Sequence, residues 1–304
     1  VILVHGVRFK SELAYNNLLT KHLHENEYFG DQVQAKFVYY PTVTREPYTN
    51  NGRITDLLTS GKLSNMSKNI AETMKAIVAS KPGGPDVLTV ATKSVPNMQP
   101  NEVLIKVYAA GVNGADLKER QGKYSLPPGA PDIMGLEVSG EIVDTGYRCK
   151  RFKPGDKVCA LLIGGGYAEY AVAPEAQCMP VPENVDIIEA AGIPEVFCTI
   201  WANMVDRCAL KAGETVLIQG GTSGIGYTGI KLAKAFGATV FATARTAEKC
   251  SAIRRFGADY AINYREEDFA KVCHDQTTGR GVDIVVDIVG GDYLPREVDL
   301  LTHG

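Results

Sequence analysis

The pattern of apolar and polar positions changes character twice along the chain, and each change marks a boundary. Over residues 1–62 strand and helix signals alternate. "VILVHG" is an apolar run of buried-strand type, "SELAYNNLLTKHLHEN" sets Leu13, Leu18, Leu19 and Leu23 at helical spacing behind a Ser11 N-cap, and "QVQAKFVYYPTV" alternates as a strand. The periodicity stops in the polar stretch "SNMSKNIAET", which predicts a linker over 63–73. From Met74 the pattern becomes short strands with turn punctuation: "KAIVAS", "VLTVAT", "EVLIKVYAAGVN", "LEVSGEIVDTG", "DKVCALL" and "YAEYAVA". This spacing predicts a compact β-rich domain of barrel type over 74–194.

A third regime follows over 195–304. "VDIIEAAGIPEVFCTIWANMVDRC" predicts two helical segments across its start. Then "ETVLIQG", "GIGYTGIKLAKAFG", "TVFATAR", "AEKCSAIRRFG", "YAIN", "EDFAKVCHDQ" and "VDIVVDIVG" alternate strand with helix, which predicts a parallel sheet with crossover helices. The fold class is therefore α/β: a β-rich domain, then a doubly wound parallel sheet, both preceded by an N-terminal α/β fragment.

Composition narrows the function classes. A length of 304 residues accommodates about two domains, and a formal charge of −3 with no basic face in the sequence argues against a nucleic-acid partner. The apolar runs are of strand length and carry Asp residues, so no segment reaches the roughly 20 apolar residues of a membrane span. No signal-peptide pattern is present, and a cytoplasmic location is the expectation. The seven cysteines have no CxxC spacing, and "KVCAL" and "VFCTI" place them as small buried hydrophobes rather than as a disulfide framework or a zinc knuckle.

The chemistry is concentrated in "TVLIQGGTSGIGYTGIKLAKAFG". A short apolar strand runs into Gly220 and Gly221, and Gly224, Gly226 and Gly229 follow at GxGxxG spacing on the start of a helix. A pyrophosphate resting on the N–H groups and positive dipole of a helix N-terminus needs such glycines, because a Cβ would hold it off. The choice between NAD and NADP is read roughly 20 residues further on, where an acidic residue would bond the ribose 2′-OH. Here the strand "TVFATA" ends at Arg245, with Lys249 in the helix beyond and no strand-end acid. Two cations suit a 2′-phosphate, and they equally suit a solvated helix start.

With these residues in hand, 74–304 resembles the zinc-independent quinone oxidoreductases of the medium-chain dehydrogenase/reductase superfamily, the zeta-crystallin-like branch. The strings that carry it are "KPGGPDVL", "GVNGADLKERQGKY", "GLEVSGEI", "RFKPGDKVCALL", "GGGYAEYA", "AAGIPEVFCTIW", "GGTSGIG" and "INYREEDF". The resemblance implies a GroES-like catalytic domain beside a Rossmann domain, NADPH as hydride donor, and quinones or α,β-unsaturated carbonyls as acceptors. It implies a phosphate turn of Gly221, Ser223, Gly224 and Gly226, with Lys249 and Tyr264 at the 2′-phosphate beside Arg245. On the substrate side it implies Asn113, Asp116 and Tyr124. Asn113 also reads as a turn former, and Asp116 as a cap of the helix "ADLKERQG".

Related alcohol dehydrogenases hold a catalytic zinc, with a Cys in the region of Asn113–Ala115 and a His at the place of Leu136, before Glu137. Neither substitute offers a thiolate or an imidazole, so no metal is expected and acceptors that take hydride without a Lewis acid fit better.

Residues 1–62 resemble instead the NADP-binding half of bacterial ferredoxin (flavodoxin)–NADP reductases, through "VHGVRFKSELAY", "VTREP" and "NNGRITDLLTSGKL". That resemblance implies a 2′-phosphate grip by Arg8, Arg45 and Arg53. The flavin-binding domain of that family has no counterpart here, and the quinone reductase pattern stops at "LTHG", ahead of strands that would complete the sheet and form the family's homodimer. The expectation is of two joined fragments with the seam at "SNMSKNIAET", of an exposed last-strand edge, and of NADPH binding with poor turnover.

Overall fold

In the computed structural model, residues 3–5, 70–124 and 126–302 are described, and they separate into two compact units that divide between Glu195 and Val196. Strand β1 (Leu3–His5) belongs with residues 196–302, and residues 70–195 form the other unit. Arg8, Arg45 and Arg53 and most of the expected linker lie outside the described residues.

The unit of residues 70–195 follows the alternation of its strands. β2 (Thr73–Ala79) pairs antiparallel with β3 (Leu88–Ser94). β4 (Glu102–Ala110), β5 (Glu137–Thr145), β6 (Lys157–Leu161), β7 (Tyr170–Pro174) and β8 (Cys178–Pro180) form an antiparallel sheet in the order β7-β4-β5-β6-β8. Val103 and Ile105 on β4, Val138 and Ile142 on β5, Val158 on β6 and Ala171 on β7 lie on the inner face, fully or almost fully buried. Each Val or Ile contributes about 1.5–3 kcal/mol by leaving water. β4 slips register against β5 between Leu104 and Ile105 and between Val107 and Ala109. Such irregularities bend a strand and increase its twist, as curling a sheet requires. Met74, where the strand pattern opens, is buried on β2 beside Ala76 and Ile133. Helix α1 (Gly114–Arg120) leaves the end of β4.

The second unit begins in helix α2 (Pro194–Ile200), which runs on as a π-helical stretch over Trp201–Arg207. The sequence pattern predicts two ordinary helical segments here, and the difference has a local cause. The Asn203 side-chain amide donates to the Thr199 carbonyl at 2.8 Å, and Arg207 donates to Asn203 Oδ1 at 2.7 Å. Side chains that bond the preceding turn compete with the regular backbone ladder. Of the earlier stretch, Glu189–Gly192 forms only a 3₁₀ turn.

β9 (Thr215–Ile218), β10 (Thr239–Ala244), β11 (Tyr260–Asn263) and β12 (Ile284–Asp287) are parallel. They alternate with helices α3 (Gly224–Ala235), α4 (Ala247–Phe256), α5 (Phe269–Gln276) and α6 (Tyr293–Leu300). The full order is β1-β12-β9-β10-β11, so the order reverses between β9 and β12. Open α/β sheets bind ligands at that switch point, beyond the carboxyl ends of the strands.

One expectation is corrected at the edge of this sheet. The outer side of β12 is paired rather than exposed: Leu3, Val4 and His5 lie parallel to Val285, Val286 and Asp287. Leu3–His5 thus join the parallel sheet as its fifth strand. Strands with unpaired N–H and C=O groups recruit a partner wherever one is in reach, and this chain supplies its own.

Candidate active site

The candidate cofactor site of the second unit is the turn after β9. Gly226 is fixed by the space available: a Cβ built there would stand 2.3 Å from the Gly220 carbonyl oxygen and 2.6 Å from Gly221 Cα, both backbone atoms. Gly221 is enclosed by Ile253 and Ala242, and Gly224 faces Val196. Ser223 caps α3, accepting from the Gly226 N–H at 2.9 Å while its hydroxyl donates to the Gly220 carbonyl at 2.8 Å. The helix N-terminus is thereby held against the turn, with its N–H groups and positive dipole at the carboxyl end of the sheet.

The expected 2′-phosphate residues come together at the ends of β10 and β11. Arg245 directly follows β10, and Lys249 lies in the first turn of α4, where its N–H bonds the Thr246 hydroxyl at 3.3 Å. The Tyr264 N–H donates to the Ala244 carbonyl at 3.1 Å, which brings Tyr264 beside Arg245. All three side chains are exposed, so the cations stand in water and are open to a charged ligand.

The other unit holds a different kind of chemistry. At the end of β4, the Asn113 amide donates to Glu137 Oε1 at 2.8 Å, and the Glu195 N–H donates to Glu137 Oε2 at 2.8 Å. Gly111 leaves room for that carboxylate, since a Cβ there would lie 2.1 Å from Glu137 Oε1. The Asp116 carboxylate accepts from the Asn113 backbone N–H at 2.7 Å, so the capping role is the one the geometry displays. Tyr124 is half-buried in the loop beyond α1.

Asp116 and Glu137 are almost wholly buried, at 3% and 2% exposure. The Tyr167 hydroxyl bonds the Asp116 carboxylate inside this buried group, and Glu119 Oε2 is buried with no hydrogen-bond partner. Burial raises the pKa of Asp116 and of Glu137. Glu119 is raised by burial and then by the charge of Asp116. Glu195 is pushed up to about 7, by burial first and then by Glu137 and Asp116. The Tyr167 hydroxyl is driven far above its ordinary value by burial and the same carboxylates. Like charges brought together in a buried site disfavour joint ionisation, which favours protonated forms within the group. Glu119, Tyr167 and Glu195 are the residues that sequence reasoning missed; the one local signal was the i, i+3 spacing of Asp116 and Glu119.

This donor set does not fit a zinc ion. The Asn113 amide nitrogen is a donor already committed to Glu137, Leu136 has no ligand atom, and among the described residues no three His, Cys, Asp or Glu side chains gather to hold a metal.

Comparison with known proteins covers both units. The profile "Alcohol dehydrogenase GroES-like domain" matches residues 99–183, and "Zinc-binding dehydrogenase" matches 224–304. A "Quinone oxidoreductase" of Sus scrofa is 34% identical over 233 residues, which is 76% of this chain and 71% of the relative. The chain belongs to the quinone oxidoreductase family. An Arabidopsis thaliana "NADPH-dependent alkenal/one oxidoreductase, chloroplastic" is 36% identical over 234 residues, 73% of this chain and 59% of the relative. Among solved structures, the quinone oxidoreductase of Pseudomonas syringae pv. Tomato DC3000 superposes with a TM-score of 0.68 at 30% identity, covering 75% of this chain and 70% of that one. The chain is thus an NAD(P)H-dependent oxidoreductase whose β-rich unit is GroES-like and whose parallel sheet is a Rossmann fold, and its cofactor is NADPH. Both matching profiles lie within residues 99–304 and do not bear on the ferredoxin–NADP reductase resemblance of residues 1–62. Among the described residues no helix is long and apolar enough to cross a membrane.

Proposed function

We propose that the protein reduces quinones or α,β-unsaturated carbonyls with NADPH and without a metal. The observation that carries this reading is the Asn113–Glu137 pair: where a zinc enzyme of the superfamily would present metal ligands, this chain presents an amide bonded to a buried carboxylate. A zinc-dependent alcohol dehydrogenation stabilises its alkoxide on the metal, whereas an enone or quinone accepts hydride and spreads the charge through its own conjugation. When bound, NADPH supplies the hydride. The residues of the chain then have separable tasks. Gly221, Ser223, Gly224 and Gly226 hold the pyrophosphate, and Arg245, Lys249 and Tyr264 hold the 2′-phosphate. Asn113, Asp116 and Tyr124 are assigned to the acceptor side. The balance also requires one proton per turnover, which the half-buried Glu195, its pKa pushed up to about 7 beside Glu137 and Asp116, is suited to hold.

The test is steady-state NADPH oxidation with a small quinone and with an enone, with and without chelator, beside a parallel series with NADH. The proposal expects quinone- and enone-dependent consumption of NADPH that the chelator leaves unchanged. Tight NADPH binding with no acceptor-dependent consumption would instead favour a cofactor-binding module.

A further inference from the structure

The phosphate turn is tied to the far side of its unit by a buried chain of side chains. The Gly220 N–H donates to Thr243 Oγ1 at 3.0 Å, the Thr243 hydroxyl donates to Gln219 Oε1 at 2.8 Å, and the Gln219 amide nitrogen donates to Glu297 Oε1 at 2.8 Å. Thr243 also accepts from the Gly221 N–H at its backbone carbonyl, at 2.8 Å, so one residue pins both leading glycines. Gly220 has a φ of +69°, which glycine adopts without steric cost, and its N–H is fixed by the Thr243 hydroxyl. Gln219, Thr243 and Glu297 are at most 1% exposed. Every donor in the chain points toward Glu297, and its second oxygen, Oε2, has no partner.

We propose that Glu297 is a positioning residue for the NADPH turn, ending this chain as an uncharged carboxylic acid, so that cofactor binding is coupled to the proton it holds. The inference rests on the cofactor assignment above and adds a residue from α6 that touches neither cofactor nor acceptor. The surroundings favour the neutral form. Burial and the charge of Asp287, at the end of β12, work against ionisation of Glu297 and outweigh the donation from Gln219 on the β9 side, which favours the charged form. On α6 itself, Tyr293 is uncharged and Arg296 is the nearest cation. Arg296, however, donates to Asp268 at 2.6 Å and lies 4.2 Å over the Phe269 ring, which leaves Glu297 without a bonded cation. Burial first, and then Asp287, raise its pKa to about 8. A negative charge appearing there would stand at the foot of a turn built to receive a pyrophosphate, in a medium that screens poorly. NADPH and an ionised Glu297 therefore oppose each other, and by linkage each weakens the other equally.

The experiment is NADPH titration by calorimetry from about pH 7 to about pH 9, a window in which the 2′-phosphate is largely ionised and Lys and Tyr side chains largely keep their protons. Wild type is compared with Glu297→Gln, which keeps the acceptor and cannot ionise, and with Glu297→Leu, which removes the acceptor. Wild-type affinity is expected to fall about tenfold across the window, within the ordinary range of coupling between two charged sites. Glu297→Gln should match wild type at the lower pH and lose the dependence, and Glu297→Leu should bind more weakly throughout. A flat wild-type profile, or a Glu297→Gln profile as steep as the wild type, overturns the proposal even if the Leu variant fails to fold. A wild-type chain that does not bind NADPH at the lower pH overturns the cofactor assignment itself.

Discussion

Replacing Gly226 by Ala separates a turn that cradles a phosphate from one that only links a strand to a helix. The new methyl group would sit 2.3 Å from the Gly220 oxygen and 2.6 Å from Gly221 Cα. Carbon finds its contact optimum near 3.5–4.0 Å, so the turn and the start of α3 must separate by roughly an ångström. Neither obstacle is a side chain that can rotate away. The separation also pulls on the two bonds that Ser223 makes across the same gap, at 2.8 and 2.9 Å. Overpacking of this kind costs about 1–3 kcal/mol, and a weakened cap adds on the order of 1 kcal/mol. Because the N–H groups that would receive the pyrophosphate are the ones displaced, most of that cost should appear in NADPH affinity, a loss of roughly tenfold or more. The assay is fluorescence titration with NADPH on samples whose melting temperature without ligand is also recorded. A variant with a lowered melting temperature and unchanged NADPH affinity would show that Gly226 serves only the local fold. A variant unchanged in both would refute the steric argument outright.

The remaining expectations follow from the same features. Removing Lys249 together with Arg245, as alanines, should weaken NADPH binding severalfold and leave NADH binding unchanged, as expected for exposed cations that meet only the 2′-phosphate; equal losses for both cofactors would contradict that role. Stability should depend on pH through the carboxyl groups with raised pKa. A group that binds its proton more tightly when folded contributes stability in full below its unfolded value and loses it as pH rises through its folded value. For Glu195 and Glu297 that loss spans the range from ordinary carboxylate values up to about 7 and about 8 respectively. The melting temperature should therefore be higher near pH 5 than near pH 8, and a profile that rises over this interval would refute the assignment.

What the sequence reveals and what it hides divide along a physical line. Strands β4, β5, β9 and β10 are legible because burial of one or both faces leaves a pattern within a few residues, and the glycine turn is legible because close backbone approach admits no other residue. The acidic group is not legible, because Asp116, Glu137, Tyr167 and Glu195 come from separate elements and only the folded barrel brings them together. The chain from Gly220 to Glu297 spans contacts 78 residues apart, between residues that individually read as ordinary polar positions. The pairing of Leu3–His5 with β12 joins opposite ends of the sequence, and a run of apolar residues says that a strand is present without saying which edge it will cover. The π-helical stretch after α2 is hidden for the opposite reason: it depends on one amide, that of Asn203, choosing a backbone carbonyl over water.

The central claim, hydride transfer from NADPH to the carbon of a conjugated acceptor without a Lewis acid, is tested most directly by isotope. NADPH carrying deuterium at the transferred position of the nicotinamide is incubated with the protein and an enone under chelator, and the product is analysed by mass spectrometry and NMR. The account expects a saturated ketone with one deuterium on the β-carbon and the carbonyl intact. An allylic alcohol with deuterium on the carbinol carbon, or a product without deuterium, would contradict it.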